Sequence, residues 1–186
     1  MKRLFLMVLL VLSVSIIVAE TNPVIVGVAT GYKKSLDASE YRDQFGASAF
    51  IACKGFGFRW HYVTSDNTEY TEMISYDDAV DGGYKISDLR VESRVVGYEW
   101  LQRILYKGDS SLFMSAGIGF SRQNTMIQMR LDDSAMWIKK ESDTQMSFSV
   151  GLTAIKGKDG AMVYGFTYDT NPKGLFVFVG FGFSIN

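Results

Sequence analysis

The chain holds one histidine, His61, in the run Gly55-Phe56-Gly57-Phe58-Arg59-Trp60-His61-Tyr62-Val63-Thr64-Ser65. An imidazole is the usual general base near neutral pH, but it needs a nucleophile and an orienting acid within reach. A second ionisable run, Arg90-Val91-Glu92-Ser93-Arg94, sets three charges at alternate positions. That is the period of a β-strand, so Arg90, Glu92 and Arg94 share one face. His61 shares its own face with Gly57 and Arg59. Charges on an inner face must be paired, because a lone buried ion is costly. We therefore expect Arg59, His61, Arg90, Glu92 and Arg94 to form one interior charge cluster with a structural role. Within it, Arg59 and Glu92 would face each other across adjacent antiparallel strands. The functional alternative for the same residues is a path for ions or small solutes.

The remaining chemistry-bearing residues point to no reaction. Asp77-Asp78, Asp81 and Asp132-Asp133 are acidic clusters that read as solvated turns. Gly180-Phe181-Gly182 lacks a following helix and is not a phosphate loop. Cys53 is the single cysteine, so no intramolecular disulfide forms, and it reads as a small apolar residue. We assign no catalytic residue, no metal ligand and no cofactor. The formal net charge of −1 gives no electrostatic case for nucleic acid.

The elements that must position these side chains have period two, not 3.6. In Gly55–Ser65, Phe56, Phe58, Trp60, Tyr62 and Thr64 share a face. The opposite face is small or charged. The same split recurs at Val24/Val26/Val28, at Phe45–Ile51, at Leu112–Phe120, at Met146–Leu152, at Met162–Tyr168 and at Leu175–Ile185, with Phe50, Phe176 and Phe178 as bulky residues on the small face. Near Leu89 the pattern slips. A bulge at Val95–Val96 would re-phase Val96, Tyr98 and Trp100 outward and set Gly97 and Glu99 inward. With 47% hydrophobic residues the chain is no disordered segment. Its 18 Gly against 2 Pro suit strands that enclose a narrow interior.

About eight strands result, each near the ~9–11 residues that a tilted membrane strand needs. The small face has too little bulk for a sandwich core. The interior of an eight-stranded barrel is just wide enough for side chains to fill. The expectation is an all-β, eight-stranded antiparallel up-and-down transmembrane β-barrel with its large apolar face toward lipid. A soluble periplasmic barrel, with the aromatic face turned inward, is the rival fold.

The amino terminus reads as an address. Lys2 and Arg3 precede the apolar run Leu4–Val18, and Ala19 precedes polar Glu20-Thr21-Asn22. This is the pattern of a secretory signal peptide, residues 1–19, cleaved from a barrel domain of residues 20–186. The connections alternate in length. Lys33–Asp43, Asp66–Lys85, Arg122–Thr144 and Asp169–Lys173 would lie on the outer side. Lys54–Gly55, Lys107–Ser110 and Lys156–Asp159 would be tight periplasmic turns. Within Arg122–Thr144, alternating residues flank Asp132-Asp133-Ser134, which predicts a β-hairpin extending two strands beyond the bilayer.

On these residues the chain from Asn22 to Asn186 resembles the small bacterial outer-membrane β-barrel proteins, the OmpX-, OmpA- and OmpW-like class. Gly180, Phe183 and Ile185 stand at the spacing of that class's closing strand, although the chain ends in Asn186 and not in Phe. The resemblance implies a bacterial outer-membrane location, outer-membrane lipid as surroundings, and the barrel-assembly machinery as a partner of the C-terminal strand. It also implies a non-enzymatic envelope or surface-interaction role through loops 66–85 and 122–144, with an extracellular protein as partner. A narrow channel and a lipid-modifying barrel enzyme are the alternatives. Lipid-editing barrels of the deacylase type carry His-x-Ser, and His61-Tyr62-Val63-Thr64-Ser65 lacks that spacing.

Overall fold

The computed structural model describes residues 24–37, 40–53, 55–65, 75–157 and 160–185. The proposed signal peptide, the stretch 66–74 and Asn186 lie outside them. Among the described residues there are eight strands: β1 (Val24–Ser35), β2 (Gln44–Ala52), β3 (Phe56–Thr64), β4 (Lys85–Lys107), β5 (Ser110–Leu131), β6 (Ser134–Lys156), β7 (Gly160–Thr170) and β8 (Lys173–Ile185). Each pairs antiparallel with its sequence neighbours, and β1 closes the ring against β8. One short helix, α1 (Tyr76–Asp81), precedes β4. Closure removes the open edges that an isolated sheet would present to hydrocarbon.

The rings point outward. Phe58, Trp60, Tyr98, Phe148, Val150 and Val177 are among the exposed residues, at 39–63% of their full accessibility. The rival with an aromatic interior is thereby removed. Along β5 the outward residues run from Leu112 to Phe120. That is roughly 27 Å of strand at ~3.4 Å per residue, or ~21 Å of height at the usual tilt, close to the ~25 Å apolar band of such barrels. Below, Phe56 stacks on Trp100 at 5.3 Å beside Cys53, whose N–H donates to the Phe56 carbonyl. Cys53 is half-buried there, and burial pushes its thiol up.

Two expectations about β4 need correction. The register through Val95 and Val96 is unbroken against both β3 and β5, so no bulge lies there. Irregularities fall instead at Ile86/Asp88 and Arg103/Leu105, and on the β5–β6 ladder at Thr125/Met126. The physical reason is Val95, which is fully buried among the inward side chains with Val63. Gly97 and Glu99 follow it inward on the plain pleat, and Arg94 turns outward. The parity slip in the sequence marks the rim of the apolar belt, above which the outer face need not be greasy.

The second correction is length. β4, β5 and β6 run 22 or 23 residues. The hairpin predicted around Asp132-Asp133 is present, turning on Asp132 at φ 51°. β4 starts at Lys85, the last residue of the stretch 66–85 that reads as loop, and within that stretch the described part holds α1 and the turn at Gly82-Gly83. Ala79 of α1 packs with Ile127, Met129 and Ile138, flanked by Tyr76, Tyr84 and Met136, as a second small core outside the barrel. Ser75 caps α1 by accepting from the Asp78 amide at 3.1 Å.

Candidate functional site

The barrel interior is closed by a chain of charges contributed from alternate positions of several strands. Lys33 Nζ of β1 lies 3.0 Å from Asp169 Oδ2 of β7. The other Asp169 oxygen lies 3.8 Å from His61 Nε2 of β3. His61 Nδ1 lies 3.4 Å from Glu99 Oε1 of β4, and Glu99 Oε2 accepts from Arg59 Nη2 at 2.6 Å. Arg59 also donates to Thr167 and, at 3.4 Å, to Thr153. Its guanidinium lies 4.1 Å from the centroid of Phe178. Every charged member is 1% exposed. Two fixed cations thus face two carboxylates with one imidazole between, which is the pairing that burial demands.

Aromatic rings finish the plug. Phe176 stacks between His61 and Phe178, at 6.3 and 5.7 Å between centroids. Phe50 fills the adjoining level at 4% exposure. Towards the tight turns the interior is apolar, with Leu101, Phe113, Ile155 and Val163. The interior is therefore greasier than a lumen of glycine, serine and charge.

The glycines make room for these groups. Gly97 sits opposite His61 in the β3–β4 register, and a Cβ on it would overlap the imidazole ring. We predict that Gly97→Ala destabilises the barrel by about 1–3 kcal/mol, the usual cost of overpacking. Gly55→Ala, at a position with open space around it, should change little. Urea unfolding of both variants in the same lipid checks this, and equal midpoints would refute it.

Of the residues expected in the cluster, the structure brings Arg59 and His61 together. Arg59 faces Glu99 in the register, not Glu92. Glu92 is buried at the mouth, 3.5 Å from Arg42 of the β1–β2 connection. Arg90 pairs with Asp88 at 3.2 Å and lies over the Trp137 ring at 4.4 Å, above the apolar belt. Arg94 is exposed on the outer face. Lys33, Glu99, Asp169, Thr153 and Thr167 complete the cluster. Lys33 and Asp169 stand where β1 and β7 approach their outer connections, and they read as loop boundaries. Their signal was parity: Lys33 continues the Ala29, Gly31 face, and Asp169 continues Val163, Gly165, Thr167.

A cavity of about 630 Å³ opens beside the mouth, lined by Glu40, Tyr41, Arg42, Asp43, Phe45, Thr64, Ser65, Asp88, Leu89 and Arg90. Its β1–β2 wall is fastened. Glu40 and Arg42 bond the backbone of Val91, and Asp43 takes Tyr32, Lys34 and the Ser35 amide. Burial pushes the Asp43 carboxyl up, but these three donors outweigh it and hold the carboxyl below its usual range. Among the described residues, no group of three or more His, Cys, Asp or Glu side chains could hold a metal ion. No helix among them is long and apolar enough to cross a membrane.

No protein-family model matches the sequence, and no curated protein matches it. The fold does match. Neisserial surface protein A is 12% identical, with 88% of this chain and 97% of that chain covered at a TM-score of 0.50. A major outer membrane protein from Thermus thermophilus is 10% identical, with 88% and 99% covered at 0.52. Such identities speak to architecture alone. With its closed ring of antiparallel strands, outward rings and filled interior, the chain has the fold of the small eight-stranded barrels of bacterial outer membranes.

Proposed function

We propose that the protein is exported by a cleaved leader, residues 1–19, and sits in a bacterial outer membrane. There it acts without catalysis, as a sealed anchor that presents a surface-interaction platform. The observation that carries this reading is the continuation of β4, β5 and β6 past the barrel, with α1 packed on them. That extension stands on the side opposite the tight turn at Gly108–Asp109. A structure with its own small core is more than a loop. Above the last β7 partner, Ser149, the outer edge of β6 is tied, among the described residues, at Met146, Ser147 and Phe148, through Thr170 and Asn171. Residues 140–145 above them are exposed. An edge of this kind can accept an extended strand from an extracellular protein.

The filled interior supports the non-conducting, non-enzymatic side of the reading. His61 is enclosed between two carboxylates and a phenyl ring, where no lipid or solute reaches it. Lipid around the belt and assembly machinery at β8 are the remaining partners.

Amine labelling of intact cells with a reagent that cannot cross the membrane tests the placement. Lys85 and Lys140 should react, while Lys107 and Lys156, at the opposite end, should not. The inverse pattern would reject the orientation. Planar bilayers holding the full chain should carry no current above background, and stepwise conductance would reject the sealed anchor.

A further inference from the structure

On the wall formed by β6 and β7, the lowest outward pair sets a thioether beside an ammonium. The register places Met162 against Lys156, and Phe181 of β8 flanks Met162 on its other side. Met162 is 50% exposed and Lys156 is exposed, whereas their chain neighbours Ala161, Val163 and Ile155 are buried. Lys156 ends β6, and Met162 stands two residues after β7 begins. Further along the same wall the outward pairs are Ala154–Tyr164, Leu152–Phe166 and Val150–Tyr168. The Met162–Lys156 pair therefore lies where the apolar belt gives way to the interface on the tight-turn side.

A methionine sulfur accepts an oxygen atom from a peroxide and becomes a sulfoxide. The peroxide's other oxygen leaves as an alkoxide, so a proton donor beside the sulfur favours the step. Two more methionines face outward, Met114 and Met146. Met114 pairs with Gln102 and Leu152, and Met146 pairs with Phe120. Of the three, Met162 is the one with a cationic partner in the register. Directly opposed residues hold their Cβ atoms ~4.5–5.5 Å apart, so one small group can touch both side chains. A hydroperoxide on an acyl chain is polar and avoids the hydrocarbon middle. It gathers at the interface, where this pair stands.

We infer that Met162 and Lys156 form a site that reduces the hydroperoxide of an oxidised lipid acyl chain. The sulfur lone pair attacks the terminal peroxide oxygen; the S–O bond forms and the O–O bond breaks. The alkoxide left on the acyl carbon takes a proton from the Lys156 ammonium. The proton of the transferred hydroxyl returns to the lysine amine. The products are methionine sulfoxide and a lipid alcohol: the sulfur gives up two electrons and the peroxide gains them. Each thioether reduces one hydroperoxide, so the step is stoichiometric and suits an anchor that turns nothing over. At the rim the polar sulfoxide meets headgroups, and the penalty that hydrocarbon would impose is small there. The inference rests on the outer-membrane reading and adds a chemical role to its lipid-facing wall.

The test holds the full chain in phosphocholine vesicles that contain phosphatidylcholine hydroperoxide. Peptide mass spectrometry follows the gain of one oxygen at each methionine, and one lipid alcohol should appear for each sulfoxide. Met162 should oxidise about ten-fold faster than Met114 or Met146, less than the usual ~10²–10⁴-fold of general acid catalysis because the lysine is exposed. Lys156→Gln should bring Met162 down to the rate of Met114, and Lys156→Arg should keep part of the advantage. Catalase in the buffer should change nothing. Equal rates at the three methionines, or a Met162 rate unchanged in Lys156→Gln, overturns the site. Oxidation abolished by catalase overturns the lipid as its substrate. A parallel sample without lipid hydroperoxide receives hydrogen peroxide, which should oxidise Met136, on the extension, ahead of Met114. Met114 oxidised there as fast as Met136 would instead put the belt in water and overturn the outer-membrane reading on which the site depends.

Discussion

Glu99→Ala should cost the barrel about 3–5 kcal/mol, the penalty for removing one partner from a buried ion pair. The glutamate oxygens serve two groups at once, Arg59 at 2.6 Å and His61 at 3.4 Å. Arg59 has no water to turn to at 1% exposure. Its other partners, Thr153 and Thr167, are neutral and cannot balance its charge. The penalty thus comes from stranding a guanidinium, not from losing an especially strong bond. That account makes a second prediction inside the first. Arg59→Met/Glu99→Leu removes both charges and fills the space with apolar atoms, so it should recover most of the lost stability. His61 keeps Asp169 in that variant. Urea unfolding in vesicles, with the two singles and the double in one cycle, reads the coupling directly. A Glu99→Ala barrel within about 0.5 kcal/mol of wild type, the range of a surface change, would mean that water fills the interior and that the plug is loose.

Much of this architecture can be read from side-chain alternation. Period two sets Phe58, Trp60 and Val177 apart from the glycine face of their strands, because one residue of slip would turn a whole strand inside out, and the small bulk of that glycine face is what turns them outward. The hairpin at Asp132-Asp133 follows from a turn signal between two alternating runs. What alternation cannot give is the height at which its rule changes. Within the bilayer the outer face must be apolar; above it, that constraint ends. Arg90, Glu92 and Arg94 keep strict alternation but stand at or above that boundary, so their shared face implies nothing about the interior. Pairing across strands is equally hidden. Lys33 and Asp169 are distant in sequence, and only ring closure of β1 on β8, with β7 beside it, brings them within 3.0 Å. The cluster's membership is a property of barrel closure, whereas each member's inward direction is a property of its own strand.

Val150→Arg tests the direction of the outer face with the largest expected effect outside the plug. Val150 pairs with Ala116 and Tyr168, near the middle of the apolar belt, and is 58% exposed. In hydrocarbon a guanidinium at mid-depth should cost roughly 2–4 kcal/mol, falling to ~0–1 near the interface. Thr144→Arg, on the same strand at the level of Arg122, supplies the interfacial comparison and should be close to neutral. The depth dependence is the discriminating feature. If the outer face met water, both arginines would be surface changes and neither would cost more than a few tenths of a kcal/mol. If Val150 pointed inward, its arginine would meet the Gly151–Thr167 level of the filled interior and the barrel would not close at all. A graded penalty, large at Val150 and small at Thr144, measured by unfolding from lipid vesicles, is the outcome that hydrocarbon alone imposes on this wall. Equal midpoints for the two variants would place the belt in water and detach the fold from the membrane.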